Sequence, residues 1–240
     1  RAVPLNERGL LFLEGADLCD FLQGIICNDV QKVARGDSIY SAILTPQGKY
    51  LFDFFLVPYQ NGALLECEDD RKTDLMRKLI MYRLRSKVDI TDVSDDWNIY
   101  AVLDKEDGLS GASLIFADPR HPDMPKRAYI PSGHNEDIEP QTSEIYKGLR
   151  LNLGIGEGSE DMQIDKTLIL EANFEPLNGV DFEKGCYVGQ EITARMKHRG
   201  KVRKRFLTVA INGSHPQSGT PITLNGRIVG DMKSHKLDQG

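Results

Sequence analysis

Apolar positions recur at helical spacing in two early stretches and run together or alternate in several others. Leu18, Phe21, Leu22, Ile25 and Ile26 form one apolar stripe and predict a helix over residues 17–30. Leu75, Met76, Leu79 and Ile80 do the same for a helix over 71–84. Between them, apolar runs at 39–44 and 50–57 flank Pro46-Gln47-Gly48, which has turn chemistry, so the segment reads as a β-hairpin. Asn61-Gly62 is a second hairpin signal leading into a strand at 63–67. Further strands are predicted at 87–90 and 97–103, followed by a loop over 117–140, rich in Pro, Asp and Gly, with a short strand around Tyr129 and Ile130. Helices follow at 143–153 and 190–199, the second with Ile192 and Met196 on one side and Gly200 as its C-terminal cap. After Phe206 the pattern is all strand, at 207–211, 221–224 and 227–229.

Strands interrupted by isolated helices, without a βαβ rhythm, predict an α+β fold. The organisation expected is a body over 1–205, made of two intertwined subdomains of roughly 1–103 and 104–205, and a small barrel-like domain over 206–240 that is incomplete. The start, Arg1-Ala2-Val3-Pro4, has neither Met nor an apolar signal core, and both it and the ending at Gly240 read as an interrupted chain.

Composition narrows the function class. The 240 residues are 40% hydrophobic and 28% charged, as in a soluble globular protein, and no apolar run approaches a membrane span. A formal charge of −6 argues against nucleic-acid binding by bulk charge. Cys19, Cys27, Cys67 and Cys186 lie at irregular spacings that fit neither a disulfide framework nor a zinc ribbon, and the histidines are scattered. No metal site and a reducing, cytoplasmic location are therefore expected. Gly154, Gly156 and Gly158 lack phosphate-loop spacing, and Glu160 and Asp161 behind them would repel a phosphate.

The chemistry is densest over residues 178–191, where Gly185 and Gly189 flank Cys186-Tyr187 and allow a sharp backbone path. Cys186 stands two residues from Lys184 and just ahead of a helix N-terminus, and both favour a thiolate. It equally reads as a small buried side chain in a tight turn. Asp53, inside Leu51-Phe52-Asp53-Phe54-Phe55, is paired, is used, or alternates outward to solvent. Asn28 reads as a helix cap, and Arg150 as a solvated helix cation or a carboxylate holder. The basic run Arg195, Lys197, His198, Arg199, Lys201, Arg203, Lys204 and Arg205 suits a helix C-terminus, with an excess that would attract a polyanion such as RNA. No aromatic residue interleaves it.

The block Lys184-Gly185-Cys186-Tyr187-Val188-Gly189-Gln190-Glu191 resembles the signature of the YgfZ-type folate-binding proteins. That group includes bacterial tRNA-modification and iron–sulfur maintenance factors and a mitochondrial iron–sulfur assembly factor. Phe21-Leu22-Gln23-Gly24 with Asn28-Asp29, residues 44–49 through 53–56, and residues 82–88 resemble further family blocks in the same order. The resemblance covers about residues 5–230. It implies the fold of the glycine cleavage T protein: an α+β body around a central hole plus a C-terminal β-barrel. It implies tetrahydrofolate in that hole, with Asp53, Arg150, Asn28, Gln190 and Glu191 as folate-binding residues, and reactive chemistry at Cys186 with Lys184. The role implied is an accessory factor in iron–sulfur cluster assembly or repair, acting with assembly proteins or client enzymes, tRNA-modifying ones among them. One cysteine does not hold a cluster alone, so any cluster is shared or transient. The competing readings are an aminomethyltransferase and an RNA-binding module. Aminomethyltransferases carry two adjacent acids where this chain has Phe52-Asp53, and a phenylalanine does no acid–base work.

Overall fold

Two strands precede the first helix where the hydrophobic pattern shows no alternation: β1 (Ala2–Pro4) and β2 (Arg8–Glu14). The structure, a computed structural model, describes residues 1–104, 114–133, 139–200 and 202–235. The apolar stripe that begins at Leu18 forms only a short helix, α1 (Leu18–Gln23), stopped at Gly24. Ile25 and Ile26 keep their place in the core without being helical, because Ile26 bridges Ile43 and the Cys27 amide donates to Ala42. Asp29 then accepts from the Gln31 amide and starts α2 (Gln31–Ala34).

The predicted hairpins follow as β3 (Ile39–Leu44), β4 (Tyr50–Tyr59) and β5 (Gly62–Glu68). Next come α3 (Asp69–Arg83), β6 (Asp89–Asp92) and β7 (Trp97–Val102). The 117–140 region, of which 134–138 lie outside the described residues, carries the short strand expected around Tyr129 and Ile130. Within and beside it lie β8 (Leu114–Phe116) and β9 (Lys126–Pro131), paired antiparallel. The helices α4 (Ser143–Asn152), α5 (Gly158–Asp161) and α6 (Gln190–His198) complete the body. At the end, β10 (Pro221–Leu224) and β11 (Arg227–Asp231) form a hairpin about Asn225-Gly226, both with positive φ as a tight two-residue turn requires. The strand expected at 207–211 is absent. That segment is tied to the body instead, with Phe206 N donating to Glu171 O, Asn173 Nδ2 to Phe206 O and Thr208 Oγ1 to Leu151 O.

Two antiparallel sheets place the site. The five-stranded sheet runs β3-β4-β5-β2-β6 and the four-stranded sheet runs β1-β7-β9-β8, so the N-terminal strand belongs to the second sheet. Both faces of the sheet are buried at β3 and β4, which is why these strands read as apolar runs rather than alternations, while the edge strand β6 is exposed. One face carries Ile43, Phe52, Phe54, Leu56 and Leu65 into a core shared with α1 and α3. Register puts Tyr40 opposite Phe55, Phe55 opposite Glu66 and Ala42 opposite Asp53, so these share the other face. That face packs against Ile99, Ala101 and Tyr129 of the four-stranded sheet.

One backbone position is strained. Leu84, the residue ending α3, has φ 49° and ψ −107° and is 86% exposed, a conformation costly for any residue with a Cβ. Leu84→Gly is expected to raise unfolding stability by about 1 kcal/mol, seen as a higher thermal midpoint. An unchanged or lower midpoint would show that the turn carries no strain.

Candidate functional site

Charged side chains of the chain itself fill the space between the two sheets. Glu66 on β5 accepts from Arg8 Nε (2.8 Å), from Arg127 Nη1 and from the Tyr129 hydroxyl (2.9 Å). Arg127 also donates to the Tyr146 hydroxyl at 2.6 Å. Arg120 makes a two-pronged pair with Asp118 and further bonds to the Tyr146 hydroxyl (2.8 Å) and Glu157 (3.0 Å). The guanidiniums of Arg120 and Arg127 lie 4.8 and 4.0 Å from the centre of the Phe55 ring. Buried charge of this kind is tolerated only when every ion is paired and hydrogen-bonded. Burial pushes the Glu157 carboxyl up, but Arg120, Arg150, Arg8 and Arg127 together hold it well below the ordinary range. Burial likewise raises Asp118, and Arg120 and then Arg127 outweigh it, leaving that carboxyl lowered.

Asp53 is buried on this same face and does not alternate to solvent. Its carboxylate accepts from the Tyr40 hydroxyl (2.9 Å) and the Tyr50 hydroxyl (2.7 Å). Burial first, and Asp53 second, push both tyrosines well above their ordinary values, so they remain donors. Phe52 lies on the opposite face, 4.3 Å beneath the Arg71 guanidinium. A carboxylate there would point away from Asp53.

The other residues expected to hold folate are committed elsewhere or apart. Arg150 is buried rather than solvated, donating to Asp161 (2.8 Å) and the Ile155 carbonyl (2.7 Å) and pairing with Glu157 at 3.3 Å. Asn28 donates to the Tyr40 and Asn178 carbonyls and accepts from Asp29 N and Lys32 Nζ, so it braces the following loop rather than capping a helix. Gln190 and Glu191 open α6, where Glu191 is exposed and pairs with Arg195. The set does not converge on one pocket. As the side chains stand, they do not fit a pterin and its glutamate tail, because Asp53, Arg150 and Asn28 are engaged within the chain.

The segment around Cys186 is built differently, as an exposed loop clamped at its base. Lys184 Nζ donates to the carbonyls of Gln23 (3.0 Å), Ile26 (2.7 Å) and Asn28 (2.8 Å), which are the open carbonyls after α1. It also lies 5.1 Å from the Tyr187 ring centre. Burial, its largest influence, lowers this ammonium to about 8. Asp181 accepts from the amides of Glu183 and Lys184 and pairs with Lys32 at 2.8 Å. Val188 N donates to Gly24 O. At Gly189, with φ 85°, a Cβ would stand 2.6 Å from Thr45 O, so only glycine seats the loop against the β3–β4 turn. The activating role expected of Lys184 and the helix N-terminus toward Cys186 meets a different set of bonds in the structure. Lys184 is a clamp on α1, and Cys186 stands four residues before α6, outside the reach of its first turn. Cys186 is exposed, Cys19 half-buried, and Cys27 and Cys67 buried.

The basic run is partly neutralised, Arg195 by Glu191 and Lys197 by Glu175. Arg199, Arg203, Lys204 and Arg205 are exposed, and Lys201 lies outside the described residues. Sequence reasoning missed Arg8, Glu66, Asp118, Arg120, Arg127 and Glu157. The available signal was Glu66 and Arg127 set inside apolar strands, where a charge requires a partner. Among the described residues no cluster of His, Cys, Asp and Glu is able to hold a metal ion, and no helix is long and apolar enough to cross a membrane.

Comparison with known proteins places this geometry. The family model described as CAF17, C-terminal beta-barrel domain, matches residues 203–240. The chain is 30% identical to the mitochondrial iron–sulfur cluster assembly factor IBA57 homolog of Dictyostelium discoideum, over 91% of this chain and 64% of that protein. It is 32% identical to the mouse factor (96% and 73%) and 32% identical to the human factor (98% and 75%), both named iron–sulfur cluster assembly factor IBA57, mitochondrial. The chain thus spans under two thirds of the Dictyostelium protein's length. Among solved structures, the glycine cleavage system aminomethyltransferase T from Bartonella henselae matches with a TM-score of 0.63 at 14% identity, over 82% of this chain and 63% of that one. The body therefore has the T-protein fold. The expected cytoplasmic location is overturned, since these relatives are mitochondrial proteins. Sparse cysteines at irregular spacing do not tell one compartment from another.

Two outcomes follow from the site. Glu157 and Asp118 have folded-state values below their unfolded ones, so their stabilisation is present above about pH 4 and is lost as pH falls through the lowered values. Thermal melts from pH 5 down to pH 2 are expected to show a steep fall of the midpoint below about pH 4. A flat profile would mean that the network contributes nothing. Lys184→Met is expected to destabilise the protein by about 1–3 kcal/mol, because three carbonyls lose their donor. The reaction of Cys186 with a thiol-specific chromogenic disulfide should keep its wild-type rate in the folded variant, and a large loss of reactivity would return Lys184 to an activating role.

Proposed function

This chain belongs to the IBA57 family of iron–sulfur cluster assembly factors, and on that premise we propose that its exposed Cys186 lends a thiolate to a cluster held jointly with an assembly protein. The observation that carries the reading is the loop. Of the four cysteines only Cys186 is exposed, and clamps at Lys184, Asp181 and Gly189 fix the chain on either side of it. Clusters commonly take four thiolates, so a single cysteine implies that the remaining ligands come from the partner. The cluster is cargo in transit. Holding the loop rigid lowers the ordering cost of forming that shared site.

A tetrahydrofolate role draws its support from the T-protein fold alone. Folate entry between the sheets would have to break the two tyrosine bonds to Asp53, and Arg150 has no free donor pair for a glutamate tail. Aminomethyl transfer is weakened further by Phe52, which faces α3. Action on tRNA-modifying enzymes rests on the family resemblance alone, and RNA contact rests on the basic run, whose cations at 195 and 197 are already paired.

Cells carrying Cys186→Ser in place of the native protein are expected to lose mitochondrial iron–sulfur enzyme activity several-fold at equal protein abundance. Asp53→Asn at equal abundance should retain it. Full activity with Cys186→Ser would sink the thiolate reading. Calorimetric titration of the wild type with tetrahydrofolate is expected to give no saturable heat, and saturable binding that Asp53→Asn abolishes would restore the folate reading.

A further inference from the structure

The end of α3 presents an apolar knob that nothing among the described residues covers. Leu75 and Leu79 anchor the helix in the core, while Ile80, Met81 and Leu84 on its far side are 43%, 55% and 86% exposed. Residues 75–88 contain Arg77, Lys78, Arg83, Arg85 and Lys87 and no acid, in a chain whose formal charge is −6. The flanking acids do little to neutralise them. Asp74 pairs with Arg77 at the exposed edge, and Asp89 stands 4.0 Å from Arg83. Among the described residues the side chains of Arg85 and Lys87 pair with no carboxylate. A shallow depression lined by Asp17, Leu84, Arg85 and Ser86 opens beside the knob.

The strained Leu84 is held in place. Asp17 Oδ2 accepts from Lys87 N (2.7 Å), Asp17 N donates back to Lys87 O, and Arg83 Nη1 donates to Val88 O (2.9 Å). Strain persists only where surrounding contacts over-determine it, and here it fixes an exposed apolar side chain rather than an internal one. Asp17 also begins α1, whose other end is gripped by Lys184 and Val188. The six residues of α1, about 9 Å of helix, therefore join the Leu84 turn directly to the base of the Cys186 loop.

We propose that Ile80, Met81 and Leu84 with their cationic rim form a docking surface for an acidic protein, the same cluster-bearing partner that meets Cys186. The identity of the partner as cluster-bearing rests on the reading above; its acidity and its apolar pocket rest on this surface alone. A cationic rim speeds and orients encounter with an acidic face, and the central apolar side chains supply the desolvated contact. A protein is favoured over an anionic membrane because the patch offers no exposed aromatic anchor. Tyr82 is half-buried with Lys78 Nζ 5.0 Å from its ring centre, and a pre-set knob brings no advantage in a fluid interface.

The test places a photo-crosslinking residue in the full chain, as Met81→benzoylphenylalanine and separately as Gly185→benzoylphenylalanine, a position with nothing within 4 Å of its Cβ. Irradiation in intact mitochondria is expected to capture one and the same acidic, cluster-binding protein from both positions. Leu84→Asp or Arg85→Glu should cut the yield from position 81 about tenfold, while thermal melts show the fold intact. Leu84→Gly should lose capture although its fold is more stable. Capture of lipid alone, of nothing, or of a basic protein at position 81 overturns the docking surface, as does a yield indifferent to Leu84→Asp. Capture of an acidic cluster protein from position 81 but not from 185 upholds the surface and removes the thiolate reading; the converse upholds the thiolate reading and removes the surface.

Discussion

Glu66 and Arg127 meet between the two sheets with no solvent on either side, and most of the body is arranged so that they can. Neither charge is stable in the interior alone, since stripping water from an isolated ion costs far more than a domain's net stability. Glu66 therefore requires Arg8, Arg127 and the Tyr129 hydroxyl. Arg127 in turn fixes Tyr146 on α4, and Arg120 ties Tyr146 to Asp118 and Glu157. Through these pairs a residue of β2, one of β5 and one of β9 commit their strands to one mutual register, and α4 is bound in with them. Apolar packing alone, being non-directional, would leave more freedom in how the sheets face each other.

That closure changes where function resides. A T-protein-like hole is an inviting ligand site as an architecture, yet here the tyrosines on Asp53 and the bonds of Arg150 occupy its polar groups. On the reading proposed above, the accessible chemistry lies in the clamped loop, which presents the exposed thiol of Cys186. The division is physical: the centre spends its hydrogen-bonding capacity internally, and the clamped loop leaves one soft nucleophile outside.

The sequence was a good guide where one physical rule dominated. The hairpins around Gly48 and Gly62 and the helices at 71–84 and 143–153 appear within a residue or two of their predicted limits. It misled where tertiary contacts overrode local pattern. The stripe from Leu18 to Ile26 has helical spacing, but Gly24 and the bridge from Ile26 to Ile43 end the helix early while keeping the same side chains buried. The apolar run at 207–211 has strand composition, but it is held to the body through the Thr208 hydroxyl and the preceding Phe206 amide, and among the described residues it pairs with no strand. At the candidate site, the glycines around Cys186-Tyr187 made the sharp loop legible, whereas the direction of the Lys184 side chain was not. Adjacency in sequence put it beside Cys186, and three carbonyls around residues 23–28 drew it the other way.

Helix α1 is gripped at both ends, by Asp17 with Lys87 and by Lys184 with the carbonyls that follow it. It behaves as a spacer without slack between an apolar knob and a thiol. A binding protein that satisfies only one of the two must leave the other exposed, whereas one whose pocket and metal-bearing end are set at the matching interval engages both at once. The short helix is thus a gauge, selecting by span rather than by stickiness. An insertion or deletion of even one residue in it would turn and displace one contact relative to the other, and would change which proteins qualify.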